Sequence, residues 1–163
     1  MTLIGPDADL RFTSSIAKTD EKRAHVDWHQ DSAYDKDPEH EKFIIWIAVT
    51  ESRRDNGCLR LIPGSHAGGL VPHIPSRTLD FDKEIETVDE NLSVDLEMEP
   101  GDMVVMDRHL MHASWPSATG TLRVGLIVGF QPPKREYLEF EKIGAYRYLR
   151  GGKPVWSRVI EPE

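Results

Sequence analysis

Along most of the chain, short apolar runs are separated by turn residues, the pattern of a β-sandwich or barrel. Residues 10–17 form a first candidate strand after the Pro6-Asp7 turn, and 19–23 a charged loop. Residues 25–28 predict a strand running into the edge Trp28-His29-Gln30-Asp31, and 35–41 read as a polar loop containing Pro38. The strongest strand spans 42–50, where near-continuous apolarity from Phe43 to Val49 predicts burial on both faces and a central position. Asn56-Gly57 is a strong turn signal before a strand over 58–62. Pro63-Gly64 turns again, a short strand is expected within 69–74, and 76–91 read as an acidic, aperiodic surface excursion, a candidate lid. Residues 93–99 alternate, with Val94, Leu96 and Met98 on one face of a half-buried strand. The turn Pro100-Gly101-Asp102 precedes apolar runs at 103–106 and 110–115, and a long strand over 121–131 ends at Pro132-Pro133. The tail from 134 is mixed, with 137–148 a candidate helix and Gly151-Gly152 a break. About eight strands and few short helices predict an all-β fold, a barrel or double-sheet jelly roll of the cupin kind. Such a fold builds its ligand and metal sites in the mouth between its sheets.

With 163 residues the chain fits one domain able to bury a real core. Twenty Lys and Arg against 28 Asp and Glu give a net charge of -8, which argues against a nucleic-acid partner needing a basic face. The single cysteine, Cys58, excludes an intramolecular disulfide and a Cys-based zinc site. No basic, apolar leader is visible at the N-terminus, and the longest apolar run is too short to span a membrane. The expectation is a cytoplasmic protein, a monomer or homodimer, with a small-molecule substrate and neither nucleic acid nor membrane as partner.

The chemistry gathers around His29 and Asp31. Side chains two apart on a strand share a face, so an imidazole and a carboxylate can converge on one point. That pair is two-thirds of the 2-His-1-carboxylate face that holds non-haem Fe(II). His25 lies roughly 13 Å from His29 along an extended strand, too far to share an ion. His40, between Glu39 and Glu41, reads as a solvated loop residue, and His66 and His73 as structural residues near turns. The second histidine must therefore come from a distant strand, and the candidates are His109 and His112. Three residues apart on non-helical chain, they face opposite ways. His112 is favoured because Ala113 and Ser114 leave room beside an ion, whereas His109 follows Asp107-Arg108 and looks like a turn residue.

Arg123 opens an otherwise apolar strand, where a charge is costly without a partner. It serves either a salt bridge to one of the many acids or a bidentate clamp on the carboxylate of a small anion. No Gly-x-Ser-x-Gly elbow is present, and Gly68-Gly69 and Gly151-Gly152 lack the neighbours of a phosphate-binding loop.

Five stretches together bear a family likeness: Trp28-His29-Gln30-Asp31; Trp46-Ile47-Ala48-Val49; Asn56-Gly57-Cys58-Leu59 through Ile62-Pro63-Gly64-Ser65-His66; Gly101-Asp102 through Met111-His112-Ala113-Ser114; and Arg123, eleven residues after His112. In this order the chain resembles the phytanoyl-CoA dioxygenase family of Fe(II)/2-oxoglutarate oxygenases. The resemblance implies a double-stranded β-helix and an iron triad of His29, Asp31 and His112, which decides against His109. It implies that Arg123 pairs with the distal carboxylate of 2-oxoglutarate, helped by the Ser114 hydroxyl, that Trp46 lines the cosubstrate pocket, and that Lys18 lies near it. Family members usually exceed two hundred residues, so 1–163 is expected to be a single oxygenase domain lacking the family's N-terminal portion.

The activity implied is Fe(II)-, 2-oxoglutarate- and O₂-dependent hydroxylation of a small organic substrate, with release of succinate and CO₂. Halogenating relatives carry a small residue where Asp31 stands, so Asp31 points to hydroxylation. The alternatives are a cupin-like metal-binding protein without oxygenase activity and a zinc isomerase or hydrolase using the same face.

Overall fold

A computed structural model describes residues 7–19, 25–35, 42–76, 82–131, 147–150 and 153–156. Among these the regular structure is strand, broken by short 3₁₀ turns, with no α-helix. The strands are β1 (Asp7–Lys18), β2 (Val26–His29), β3 (Phe43–Ala48), β4 (Leu59–Leu61), β5 (His73–Pro75), β6 (Lys83–Ile85), β7 (Val94–Leu96), β8 (Met103–Asp107), β9 (His112–Ser114), β10 (Arg123–Gln131), β11 (Arg147–Arg150) and β12 (Lys153–Trp156).

Two sheets carry the fold. The larger has the order β12-β11-β1-β10-β3-β8 and the smaller β2-β9-β4-β7, while β5 and β6 form a separate hairpin. Successive strands cross between the two main sheets: β1 large, β2 small, β3 large, β4 small, and again from β7 through β10. This alternation makes the jelly roll, because each connection turns a corner between sheets instead of closing a hairpin. Asn56-Gly57 is one such corner. A 3₁₀ turn over Arg54–Asn56 ends at Gly57 with φ 96°, and the Asn56 side chain accepts from the Arg53 amide at 2.7 Å and donates to the Glu51 carbonyl at 3.0 Å. Pro100-Gly101-Asp102 is another, tied to β3 where the Gly101 amide meets the Ala48 carbonyl at 2.7 Å.

The core lies between the sheets. Ile44, Trp46 and Ala48 of β3 pack there with Leu59, Met98 and Met106. The indole of Trp46 lies so close to the backbone of Gly125 that a Cβ there would sit 2.1 Å from a ring carbon, so this position of β10 admits only glycine. A second cluster on the outer side of the small sheet joins Trp28, Ile62, Ile85 and Ala113.

Several expectations need correction. Strand β3 is paired on both sides, but it is next to the edge strand β8, not at the middle of the sheet. Its apolar residues divide between faces: Ile44, Trp46 and Ala48 are buried, while Ile45 and Ile47 are half-buried. Met103 and Val105 of β8 are 61% and 42% exposed. Continuous apolarity here reflects an apolar outer face as well as the core. In the strand expected over 93–99, Met98 is buried and Leu96 half-buried, but Val94 is exposed. The excursion expected over 76–91 contains β6, whose Ile85 is buried. The helix expected over 137–148 gives way to strand at Arg147 and Tyr148. The rest of that helix, residues 20–23 and 36–41 of the two loops including His40, 77–81 of the excursion, Pro132-Pro133 and Gly151-Gly152 lie outside the described residues.

Candidate metal and anion site

Strands β2 and β9 are antiparallel neighbours, and their register sets His29 directly opposite His112. A register shift between Val26 and His29 aims the histidine, the usual effect of a bulge beside a site. The two rings lie 4.2 Å apart between centroids at an angle of 50°. Gln30 continues β2 in extended conformation, so Asp31 returns to the face of His29 before the chain tightens into the 3₁₀ turn Asp31–Tyr34. One Asp31 carboxylate oxygen lies 3.9 Å from the Nε2 of His29 and 3.9 Å from that of His112. The three ligand atoms fall within 4.8 Å of one another, and among the described residues this is the only such group.

The tautomers fit a metal. Nδ1 of His29 meets the Asp27 carbonyl at 2.8 Å, and Nδ1 of His112 meets the Leu110 carbonyl at 2.9 Å. A carbonyl can only accept, so each Nδ1 carries the proton and each Nε2 turns a lone pair toward Asp31. Burial first, and then the neighbouring His112, push the His29 imidazole down to about 4, which keeps it neutral at physiological pH. Separations of 3.9 Å are beyond hydrogen-bond reach, and the two lone pairs with a carboxylate oxygen are the donor set of a divalent transition metal.

Gln30 holds this edge in place. Its side chain points away from the triad, is fully buried, and donates to the carbonyls of Gly69 at 2.8 Å and His109 at 2.6 Å while accepting from the Val71 amide at 2.8 Å. The Gln30 amide itself donates to Nε2 of His73 at 3.1 Å. His109 therefore serves through its carbonyl, and its ring lies 3.9 Å from the Asp107 carboxylate. His73 is a backbone acceptor, and His25 meets Asp27 at 3.1 Å.

Beside the triad lies a cavity of about 480 Å³, counting its open mouth. Its wall includes Ile44, Trp46, Met106, Ser114, Ile127 and Arg123 as well as His29, Asp31 and His112. Arg123 is 1% exposed. Its Nε donates to the Gly57 carbonyl at 3.0 Å, its Nη2 donates to the same oxygen, and its guanidinium carbon stands 5.3 Å from the Trp46 ring centre. No carboxylate among the described residues pairs with it, and burial pushes its pKa down to about 10. Among the described residues, then, no acid carries the salt-bridge reading of Arg123. The αL conformation of Gly57 presents the carbonyl that holds it, and a Cβ at Gly57 would meet the Trp115 oxygen at 2.8 Å. Lys18 is opposite Arg123 in the β1–β10 register and donates from its amine to the Trp115 carbonyl, but it does not line the cavity.

Residues 7–125 match the family model described as phytanoyl-CoA dioxygenase (PhyH). The chain belongs to the phytanoyl-CoA dioxygenase family. The phytanoyl-CoA dioxygenase domain-containing protein 1 homolog of Dictyostelium discoideum is 34% identical over 116 residues, covering 66% of this chain and 41% of that protein. The human peroxisomal phytanoyl-CoA dioxygenase is 30% identical over 144 residues, 83% of this chain and 43% of that protein. Among solved structures, EvdO2 from Micromonospora carbonacea var. aurantiaca complexed with 2-oxoglutarate superposes with a TM-score of 0.67 at 29% identity, over 75% of this chain and 51% of that one. The chain thus spans under half the length of the two family relatives. Gln30 and Gly57 are the site residues that residue-by-residue reading passed over as contributors. The signal for Gln30 was its place between two converging ligands, which turns a polar side chain toward the interior.

Proposed function

We propose that this chain is the catalytic core of an Fe(II)- and 2-oxoglutarate-dependent dioxygenase that hydroxylates a small organic substrate. The observation that carries the reading is the convergence of two Nε2 lone pairs and one carboxylate on the same point, beside a buried guanidinium with no carboxylate partner among the described residues. In this reading His29, Asp31 and His112 hold the metal, and Arg123 takes the distal carboxylate of 2-oxoglutarate in a two-pronged contact. Ser114, buried on the same wall, adds a hydroxyl to that carboxylate, and Trp46 packs along the cosubstrate. Lys18 supports this end by holding the Trp115 carbonyl next to Gly57.

When bound, iron(II) with 2-oxoglutarate and O₂ supplies the oxidation that converts a substrate C–H to C–OH while succinate and CO₂ leave. The protein's part is orientation and exclusion of water. The Nδ1 bonds of His29 and His112 prevent either ring from turning its protonated nitrogen inward, and the apolar wall of Ile44, Met106 and Ile127 keeps the cavity dry.

We read residues 1–163 as belonging to a single oxygenase domain, a monomer or homodimer. Among the described residues no helix is long and apolar enough to cross a membrane. A cytoplasmic site is part of the reading, supported by one free, buried cysteine.

The test is anaerobic addition of Fe(II) and 2-oxoglutarate, which should produce a weak visible charge-transfer band. Absence of the band in the wild-type protein, or its survival in His112→Ala, would overturn the assignment. Metal binding with no succinate formed across a compound library would instead point to a metal-binding module without oxygenase activity.

A further inference from the structure

Of the three grouped ligands, Asp31 alone is off the β-ladder. His29 and His112 are register partners, and His112 is paired on its other side with Leu61 of β4. Asp31 starts a four-residue 3₁₀ turn whose internal bonds are Ala33 amide to Gln30 carbonyl at 3.0 Å and Asp35 amide to Ser32 carbonyl at 3.2 Å. So short a 3₁₀ segment has little stability of its own, and its position is set by what it is tied to. The start of the turn is tied inward: the Ser32 amide meets the Arg108 carbonyl at 3.1 Å, and the Lys42 amine reaches the Asp31 carbonyl at 3.4 Å.

The far end is tied outward, to the β5–β6 hairpin. Lys83 donates from its amine to the Ala33 carbonyl at 2.5 Å, and its ammonium lies 5.4 Å from the Tyr34 ring centre. The Tyr34 hydroxyl donates back to the Lys83 carbonyl at 3.1 Å. Tyr34 in turn sets its ring edge against His29, with centroids 6.0 Å apart at 77°. The ring of contacts therefore runs from Lys83 through the Asp31 turn and back to His29. The hairpin is itself anchored, with Ile85 buried against Trp28 and the Ser76 hydroxyl on the Asp27 carboxylate at 2.9 Å. Neither Tyr34 nor Lys83 lines the cavity.

We propose that Tyr34 and Lys83 are positioning residues for the metal site: a latch between the β5–β6 hairpin and the Asp31 turn that fixes the carboxylate against the two imidazoles. The inference rests on the metal-site reading above and adds to it two residues outside the ligand set. The latch acts on one ligand only. Its loss should loosen Asp31 while leaving the histidine pair in register.

The test uses Co(II) alone, added anaerobically to the full chain, with dissociation constant and visible d–d spectrum as readouts. Lys83→Met keeps the length of the side chain but removes the ammonium, and should weaken Co(II) about 10–100-fold, the range for loss of a group that orients a metal ligand. Its d–d bands should shift, because the carboxylate moves relative to the imidazoles. Tyr34→Phe keeps the ring against His29 and loses only the hydroxyl bond, so it should give a smaller change in the same direction. Lys83→Arg restores a cation and donor and should recover most of the affinity. Wild-type affinity and an unshifted spectrum in Lys83→Met would overturn the latch while leaving the metal site standing. A lowered melting temperature with wild-type Co(II) affinity in the folded protein would also overturn it, since the residue would then be merely structural. If wild type and His112→Ala bind Co(II) equally poorly, the metal-site reading itself fails and the latch goes with it.

Discussion

The two ends of the cavity are both polar and both buried, yet they balance charge in opposite ways. At the histidine end every proton-bearing nitrogen has a carbonyl partner, and what remains is lone pairs and a carboxylate facing one another. The three atoms that face one another there are all acceptors. At the arginine end a full positive charge is 99% buried and held by a single carbonyl oxygen, with no carboxylate among the described residues to neutralise it. That end lacks an anion. A metal dication at one end and a dicarboxylate reaching from it to the other would complete both. Each end is costly alone, since an uncompensated buried charge is strongly unfavourable and facing acceptors repel.

The sharpest way to break this comparison is to remove one end at a time. Arg123→Met should cost about 2–5 kcal/mol of 2-oxoglutarate binding, the range for truncating one partner of a buried charge pair. The ligand-free protein should keep its stability within about 1 kcal/mol, because the lost bonds to Gly57 are offset by relief of a buried charge. Calorimetric titration of the metal-loaded protein and a urea melt of the free protein measure the two effects. His112→Ala should do the reverse, abolishing metal binding first. Equal 2-oxoglutarate affinity in wild type and Arg123→Met would show that the buried cation serves something else.

Protons offer a second way to compare the ends. Burial lowers the His29 pKa to about 4 in the folded protein, against an ordinary value of 6.5. Between those values the unfolded chain takes up a proton that the folded chain refuses, so stability rises with pH across the window and falls as pH is lowered through it. The loss approaches about 3 kcal/mol at pH 4 in the metal-free protein. Urea midpoints between pH 7 and 4.5 should fall more steeply for wild type than for His29→Gln. Parallel slopes would mean that His29 is not held neutral by burial.

A smaller effect should follow at the turn that supports the arginine. Gly57→Ala places a side chain at φ 96° and against the Trp115 carbonyl. The αL penalty of about 1–2 kcal/mol should appear as lost stability. A several-fold weaker 2-oxoglutarate affinity should accompany it, because the Gly57 carbonyl aims Arg123. Lost stability with unchanged affinity would confine Gly57 to the fold.

How much of this was legible in the residues varies with how local the cause is. His29 and Asp31 converge because extended backbone repeats every two residues, a rule that needs no tertiary information. Turn chemistry at Asn56-Gly57 and Pro100-Gly101 was equally local, although the sequence did not say that both turn corners between sheets. The faces of β3 were misread for the opposite reason. A run such as Phe43 to Val49 signals apolar surroundings on both sides of a strand, but its place beside an edge depends on which strands pair, and pairing joins residues far apart, such as Trp46 with Ile127. Lys83 lies in an acidic, aperiodic stretch with no periodic signal, and only the docking of its hairpin brings it to Ala33 and Tyr34.

By itself the sequence determined the alternation of strand and turn, the ligand types and the spacing that lets two of them meet. The residues also favoured His112 and singled out Arg123, and family likeness settled the choice between the readings of each. Tertiary structure alone decided which nitrogen of each histidine faces the carboxylate, that Arg123 is buried with no carboxylate partner among the described residues, and that Asp31 starts a turn tied to segments distant in sequence. The physical reason is that tautomer, burial and restraint belong to the surroundings of a residue, and those surroundings come from segments that only folding brings into contact.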